Sequence, residues 1–433
     1  MKAKPLASLV IIHFFMVLLF VPAAWPINYE IYQSYALPEG ALGIFVQGNL
    51  AYIANDQFGI QIIDITDPYG PFTVGSYDTP GFTRSVVVRG GYAYVADGDS
   101  GIVVLDVSSP STPAFLGRYV PASGTALTVA VPDGNYAYLS NGYSGMLVIN
   151  ISNPSSPILQ GTYSSPGYLM GVATSGNYAF VTANFVEPDY GEIQAVDISD
   201  PSNPTWVTAQ NIPGGAYGIH INGDYAYVAA FDYGLRIFDV SMPSSPTNAG
   251  FYNTAGSARH VFVDSTFAFV ADAFVGVAVM DVSDPYVPIM ADSVNTPGMA
   301  GDVVAVGDYA YVADDNSLVI LGPSNSCFYI PGDINGDGNA NGIDVTYGVA
   351  FLKGGTAPPV DCAAPAGPCT QAAPFYAAGD VNSSCSFNGI DITYYVAYLK
   401  SMQPSLLWCP QCPPSGVAVL PAPEIQPVQE EGK

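Results

Sequence analysis

Ser85-Val-Val-Val-Arg89, Gly90-Gly91, Tyr92-Ala-Tyr-Val-Ala96, Asp97-Gly-Asp-Ser-Gly101, Ile102-Val-Val-Leu-Asp-Val107, Ser108-Ser-Pro-Ser-Thr-Pro113, Ala114-Phe-Leu-Gly-Arg-Tyr119 reads as four short strands separated by turns. The strand segments are rich in β-branched and aromatic residues, and Gly, Asp, Ser and Pro punctuate them. The block recurs. Its marker glycines, Gly40, Gly81, Gly124, Gly167, Gly214, Gly256 and Gly298, follow one another about every 42 residues, the length of one four-stranded propeller blade. A sheet this small cannot bury both of its faces, so each block must stack on its neighbours. No helical period interrupts 40–322. The fold expected is an all-β, seven-bladed propeller over 25–322.

Within the blocks, columns repeat. The second strand carries an aromatic at Tyr52, Tyr94, Tyr138, Phe180, Tyr227, Phe269 and Tyr311. Two places later come the small residues Ala54, Ala96, Ser140, Thr182, Ala229, Ala271 and Ala313. A spacing of two puts both on one sheet face, a large-then-small layer suited to wedge-shaped packing. The third strand ends in Asp64, Asp106, Asn150, Asp197, Asp239 and Asp281, read as Asx turns that bond local amides. The seventh block stops after Leu318-Val-Ile-Leu321 and lacks an outer strand. Tyr29 to Gly40 matches that strand, since Ser34-Tyr35 aligns with Ser76-Tyr77. The N-terminal strand is therefore expected to complete blade seven and close the ring.

Gly234-Leu-Arg-Ile-Phe-Asp-Val240 and Gly101-Ile-Val-Val-Leu-Asp-Val107, each preceded by a Tyr-Val-Ala strand, resemble bacterial LVIVD-type propeller repeats over roughly 29–322. The resemblance implies an exported seven-bladed propeller. It carries no settled activity, so it assigns no catalytic residue.

Export is also read from the first 24 residues. Lys2 and Lys4 precede a nearly unbroken apolar run from Leu6 to Val21, then Pro22-Ala23-Ala24, the plan of a secretory signal peptide. Its removal leaves 8 basic residues against 36 acids, a net charge of −28, and no membrane span is expected afterwards. Such a surface repels nucleic acid and attracts cations. Cys327, Cys362, Cys369, Cys385, Cys409 and Cys412 all follow the propeller, and in an exported chain they argue for disulfides of undetermined pairing.

The segment 323–413 contains a second repeat. Asp333, Asn335, Asp337, Asn339, Asn341 and Asp344 occupy positions 1, 3, 5, 7, 9 and 12 of an EF-hand-type loop, with Gly338 at its turn. Alternating oxygen donors on a tight loop suit Ca2+. The second copy places Asp380, Asn382, Ser384, Ser386, Asn388 and Asp391 at the same positions; Ser384 replaces a carboxylate and Cys385 the glycine, so weaker binding is expected there. Each loop precedes a short helical stretch. The pair resembles a type I dockerin, which implies two Ca2+ ions and docking on a cohesin-like partner. The resemblance weakens at Gly342-Ile343 and Val349-Ala350, and again at Gly389-Ile390 and Val396-Ala397, where dockerins carry polar and basic pairs. The tail, 414–433, is Pro-rich and read as disordered.

No metal-binding His spacing, serine elbow or phosphate loop is present. One column stands out. Arg84 and Arg259 share a repeat position leading into the first strand, with His260 and Asp302 one place further on. That strand lines the channel of a propeller, so Arg84, Arg259, His260 and Asp302 are expected to form a polar mouth for a small anion or glycan. The functional expectation is a secreted or cell-surface, non-enzymatic binding or scaffold protein, monomeric, with a protein or glycan partner. The alternatives are an extracellular carbohydrate-active propeller enzyme, drawing on the loop acids Asp56, Asp97, Asp99, Asp232, Asp272, Asp314 and Asp315, and a purely structural surface component.

Overall fold

The structure is a computed structural model, and it describes residues 28–186, 190–264 and 266–323. The expected signal peptide, the two calcium loops with all twelve ligand positions, the cysteines and the Pro-rich tail lie outside the described residues.

Seven antiparallel sheets follow one another along the chain, and every described element is a strand. Blade two shows the plan, with β6 (Ser85–Arg89), β7 (Tyr92–Ala96), β8 (Ile102–Asp106) and β9 (Ala114–Tyr119) in that order from the axis outward. The two middle strands are buried along nearly their whole length, because both of their faces meet a neighbouring blade. Side chains therefore sort by parity. Tyr94 and Ala96 pack with Val129 and Leu139 of blade three. Ala93 and Val95, between them in sequence, pack with Ile60 and Ile62 of blade one. Each of the seven blade–blade boundaries holds one such apolar cluster, with the aromatic of the second strand at its centre. Phe180 and Phe269 are almost wholly buried there, and truncating a core aromatic of this kind costs about 3–5 kcal/mol.

Closure follows the expected route. β1 (Tyr29–Ala41) lies outermost on β27 (Tyr309–Pro323), whose other partner is β26 (Ala300–Val306). The seventh sheet counts three strands because β27 takes two places. Its first half pairs with β26 and its second half with β1, the two parted at Asp315, where φ is 52°. Tyr29 meets Phe269 of blade six edge-on, with centroids 5.5 Å apart, and the Tyr32 ring stacks on Tyr69 of blade one at 4.8 Å. The N-terminal strand thus touches three consecutive blades.

Backbone bonds join the blades near the axis. Asp56 and Thr83 exchange two of them, as do Phe231 and Ala258, and single bonds join Gly98 to Ala126, Gly142 to Leu169 and Ala273 to Ala300. The pair Ala41–Asp315 makes the same bridge across the ring closure. The first residue of each pair, like Asp315, has positive φ, whether glycine or not; the turn after the second strand must be left-handed to face the next blade. Blade four departs from the plan. Its strands β14 (Tyr168–Ser175), β15 (Tyr178–Phe185), β16 (Tyr190–Asp197) and β17 (Thr205–Pro213) are longer, which accounts for the wide interval between Gly167 and Gly214.

Candidate functional site

The first strands of the blades surround the axis. On the side of the turns that follow the second strands, a cavity of about 190 Å³ opens. Each blade places one residue of the same column on its wall: Leu42, Arg84, Leu127, Met170, Tyr217, Arg259 and Gly301. Their equivalence is visible in the backbone. The amides of Leu42, Arg84, Leu127, Tyr217 and Arg259 donate to the carbonyls of Ala54, Ala96, Ser140, Ala229 and Ala271, the small residues that end the second strands. In blades four and seven a register shift falls at Met170 and Gly301 instead. The side chain at this position has the channel as its surroundings and packs into no blade–blade cluster, so its chemistry is unconstrained by the core.

The four residues read from the sequence as a mouth all line this cavity, and their roles differ. Neither the Arg84 nor the Arg259 guanidinium donates a hydrogen bond within the described residues, and the Nε of each is sealed from solvent without a partner. Arg84 Nη2 lies 3.8 Å from Asp56 Oδ1, too long for a hydrogen bond. Asp302, by contrast, is fully engaged. Its Oδ2 accepts from Ile44 N of blade one at 2.9 Å, and its Oδ1 from Val303 N at 2.7 Å. His260 Nδ1 of blade six is 2.5 Å from the same Oδ1. Asp302 therefore clasps blades six, seven and one together. Thr128 makes a like contact in blade three, donating from Oγ1 to Met170 O at 2.9 Å.

Two histidines lie on neighbouring first strands, only His260 lining the cavity, and they are pushed in opposite directions. Burial alone would lower the His260 pKa, but the charge and hydrogen bond of Asp302 outweigh it and hold the imidazole above its ordinary value. His220 on β18 (Ile219–Asn222) has its ring 4.8 Å from Phe262. Burial first, and then the charge of His260, push it down to about 4, so it is neutral at pH 7. Gly218 makes the room that His260 needs, since a Cβ there would lie 2.5 Å from His260 Cδ2.

The loop acids sort as structural parts. Asp97 accepts from the Thr79 and Thr83 hydroxyls with Oδ1 and from Gly81 N with Oδ2. Asp272 repeats this with Thr254 and Gly256, and Asp314 with Thr296 and Gly298. In these three blades the marker glycine is thus the amide that meets a buried carboxylate. Asp99 accepts from Thr125 and Asp232 from Ser257. The third-strand column forms the expected Asx turns. Asp64, Asp106, Asn150, Asp197, Asp239 and Asp281 each accept from the amide two residues on. Among the described residues no group of three His, Cys, Asp or Glu side chains could hold a metal ion.

Sequence reasoning found the charged members of the mouth and missed Leu42, Leu127, Met170, Tyr217 and Met299. All but Met299 stand in the column of Arg84, so aligning the blocks on that arginine finds them.

LVIVD repeats match seven segments, residues 40–79, 80–120, 123–165, 166–211, 213–254, 255–296 and 297–326. The chain belongs to the LVIVD repeat family. Each LVIVD match spans one blade from its marker glycine to its outer strand, and the last is short where β1 supplies the missing strand. Solved structures agree on the fold. The β-propeller domain of Myceliophteria thermophila Cps50 (Swd1) superposes with a TM-score of 0.55 at 10% identity, covering 68% of this chain and 100% of that one. The computationally designed Ika8 protein gives 0.50 at 9% identity, covering 68% and 99%. No curated protein matches the chain. At these identities the likeness concerns architecture alone.

Proposed function

We propose that this LVIVD protein is a secreted or cell-surface recognition protein without catalytic activity. Its propeller offers a ligand site at the axis, and its C-terminal segment binds calcium and serves anchoring or assembly. One observation carries the reading: Arg84 and Arg259, from blades two and six, line one cavity while their guanidinium groups donate no hydrogen bond within the described residues, Arg84 having only the 3.8 Å contact with Asp56. Pockets that bind small ligands join an apolar wall to a few such polar groups. The reading against hydrolysis draws on the loop acids. Asp97, Asp272 and Asp314 are buried and bonded to hydroxyls and amides of the chain, so they are poorly placed to serve as an acid–base pair.

For the C-terminal segment the support is the sequence. The oxygen ligands from Asp333 to Asp344 and from Asp380 to Asp391 are spaced as a hard cation requires. The dockerin-like pattern makes a cohesin-like surface protein the leading partner for anchoring. Export follows from the apolar N-terminal run.

Glycan-array binding by the full chain, run beside hydrolysis assays on the same polysaccharides, tests the first half. Binding without cleavage is expected, and cleavage would overturn the non-enzymatic reading. Calcium titration of the full chain tests the second half. Binding that persisted when Asp333→Ala and Asp380→Ala were combined would refute the loop assignment.

A further inference from the structure

The arginines of the whole chain are Arg84, Arg89, Arg118, Arg236 and Arg259, and no lysine occurs between Lys4 and Lys353. The propeller is thus a strongly acidic body with very few cations. Arg89 donates to Val131 O, and Arg236 donates to Leu235 O and Asn253 Oδ1 beneath the Phe251 ring, so both serve the fold. Arg118 lies exposed on an outer strand. The remaining two, from blades with no shared boundary, both line the axial cavity and donate no hydrogen bond within the described residues, Arg84 lying 3.8 Å from Asp56.

We infer that the axial mouth binds a small organic monocarboxylate, its carboxylate held by Arg84 and Arg259 and its body resting against Leu42, Leu127, Met170 and Tyr217. The inference rests on the recognition reading above and adds the ligand's chemistry. Three features favour it. The planar guanidinium fork matches a carboxylate in geometry. The ion pairs fit a single negative charge: Arg84 lies 3.8 Å from Asp56 and His260 faces Asp302, which leaves Arg259 as the one guanidinium of the mouth with no carboxylate partner among the described residues. A dianion such as phosphate would exceed that single charge and crowd both carboxylates. Finally, leucine, methionine and tyrosine line the rest of the wall, and a bare inorganic anion would leave that apolar surface unused. A volume near 190 Å³ limits the body to about the size of one sugar ring or a short acyl chain.

The test uses the full chain and isothermal titration with four probes: glucuronate, hexanoate, neutral glucose and inorganic phosphate. Binding of glucuronate or hexanoate, with phosphate and glucose at least about tenfold weaker, supports the proposal, and the preferred acid identifies the body. R84Q combined with R259Q should weaken the bound acid more than about tenfold, while R118Q should leave it unchanged. Because neither mouth guanidinium makes an internal hydrogen bond, the double variant should unfold at the wild-type denaturant concentration. If it does not fold, the single R259Q exchange, expected to weaken binding severalfold, replaces it. Equal binding of glucose, tighter binding of phosphate, or indifference to both arginine exchanges would overturn the proposal, as would no binding of either acid at millimolar concentration. Capture of a surface partner or glycan by the double variant, in the absence of any carboxylate binding, would preserve the recognition reading and remove only this inference.

Discussion

The outer ends of the third strands and the axial ends of the first strands obey opposite rules. At the outer ends, six blades place Asp or Asn at one position and form the same Asx turn. At the axis, seven blades place Leu42, Arg84, Leu127, Met170, Tyr217, Arg259 and Gly301 at one position. The outer residue answers a need of the backbone, which is identical in every blade, so few side chains will serve. The axial residue answers no such need and is free to differ. Regularity across the repeat therefore marks the scaffold, and irregularity at one shared position marks the place where this chain differs from a bare ring.

The sharpest way to break that comparison is to remove a buried member of the scaffold. Asp97→Ala should cost about 3 kcal/mol, read from the urea midpoint, because two threonine hydroxyls and the Gly81 amide lose a charged acceptor. Asp97 also has a distinctive pH sign. Burial raises it above 3.8, against the pull of its hydrogen bonds. The folded state then holds its proton more tightly than the unfolded chain. Its contribution to stability improves as pH falls from the raised value toward 3.8, and Asp97→Asn should remove that component.

His220, on the first strand of blade five, should respond to acid in the opposite sense. His220 is pushed from 6.5 to about 4, so the unfolded chain takes its proton first. Stability should fall by up to about 3 kcal/mol as pH drops from 6.5 to 4, and His220→Phe should abolish this loss. His260 runs the other way. Held above 6.5 by Asp302, its contribution is complete below pH 6.5 and is lost as pH rises through the folded value. In an NMR titration, Asp302→Asn should move the His260 midpoint downward.

The smallest effect belongs to the outer turns. Asp239 accepts from the Ser241 hydroxyl and amide, which hold it below the usual aspartate range, and it is largely solvated. Asp239→Ala should cost about 0.5 kcal/mol or less at neutral pH. The difference from wild type should vanish as pH falls through the lowered value, since the native turn then loses its charge as well. A loss as large as that of Asp97→Ala would show that the outer turns are not interchangeable, solvent-screened parts.

The blade plan was legible because each strand advertises itself by period-two alternation and bounding glycines. The large-then-small pair Tyr94 and Ala96 was expected on one sheet face, and both residues join one boundary cluster. Ring closure was legible too, since Ser34-Tyr35 repeats Ser76-Tyr77 while the last block lacks that piece. The mouth was half legible. Arginine and histidine stand out in an acidic chain, whereas Leu42 or Met170 looks like any core residue. Only the ring shows that such side chains face a cavity and not a neighbouring blade.

Sequence alone determined the number of blades, the order of strands and the column that faces the axis, because these follow from local pattern and from the need of small sheets to cover one another. Tertiary structure decided which charges meet. Arg84 and Arg259, 175 positions apart, share one cavity because bending the repeat into a circle gathers all its innermost strands. The same curvature brings Asp302 to Ile44 N and consumes it in closing the ring, leaving the two guanidiniums as the charged groups of the cavity that make no hydrogen bond within the described residues.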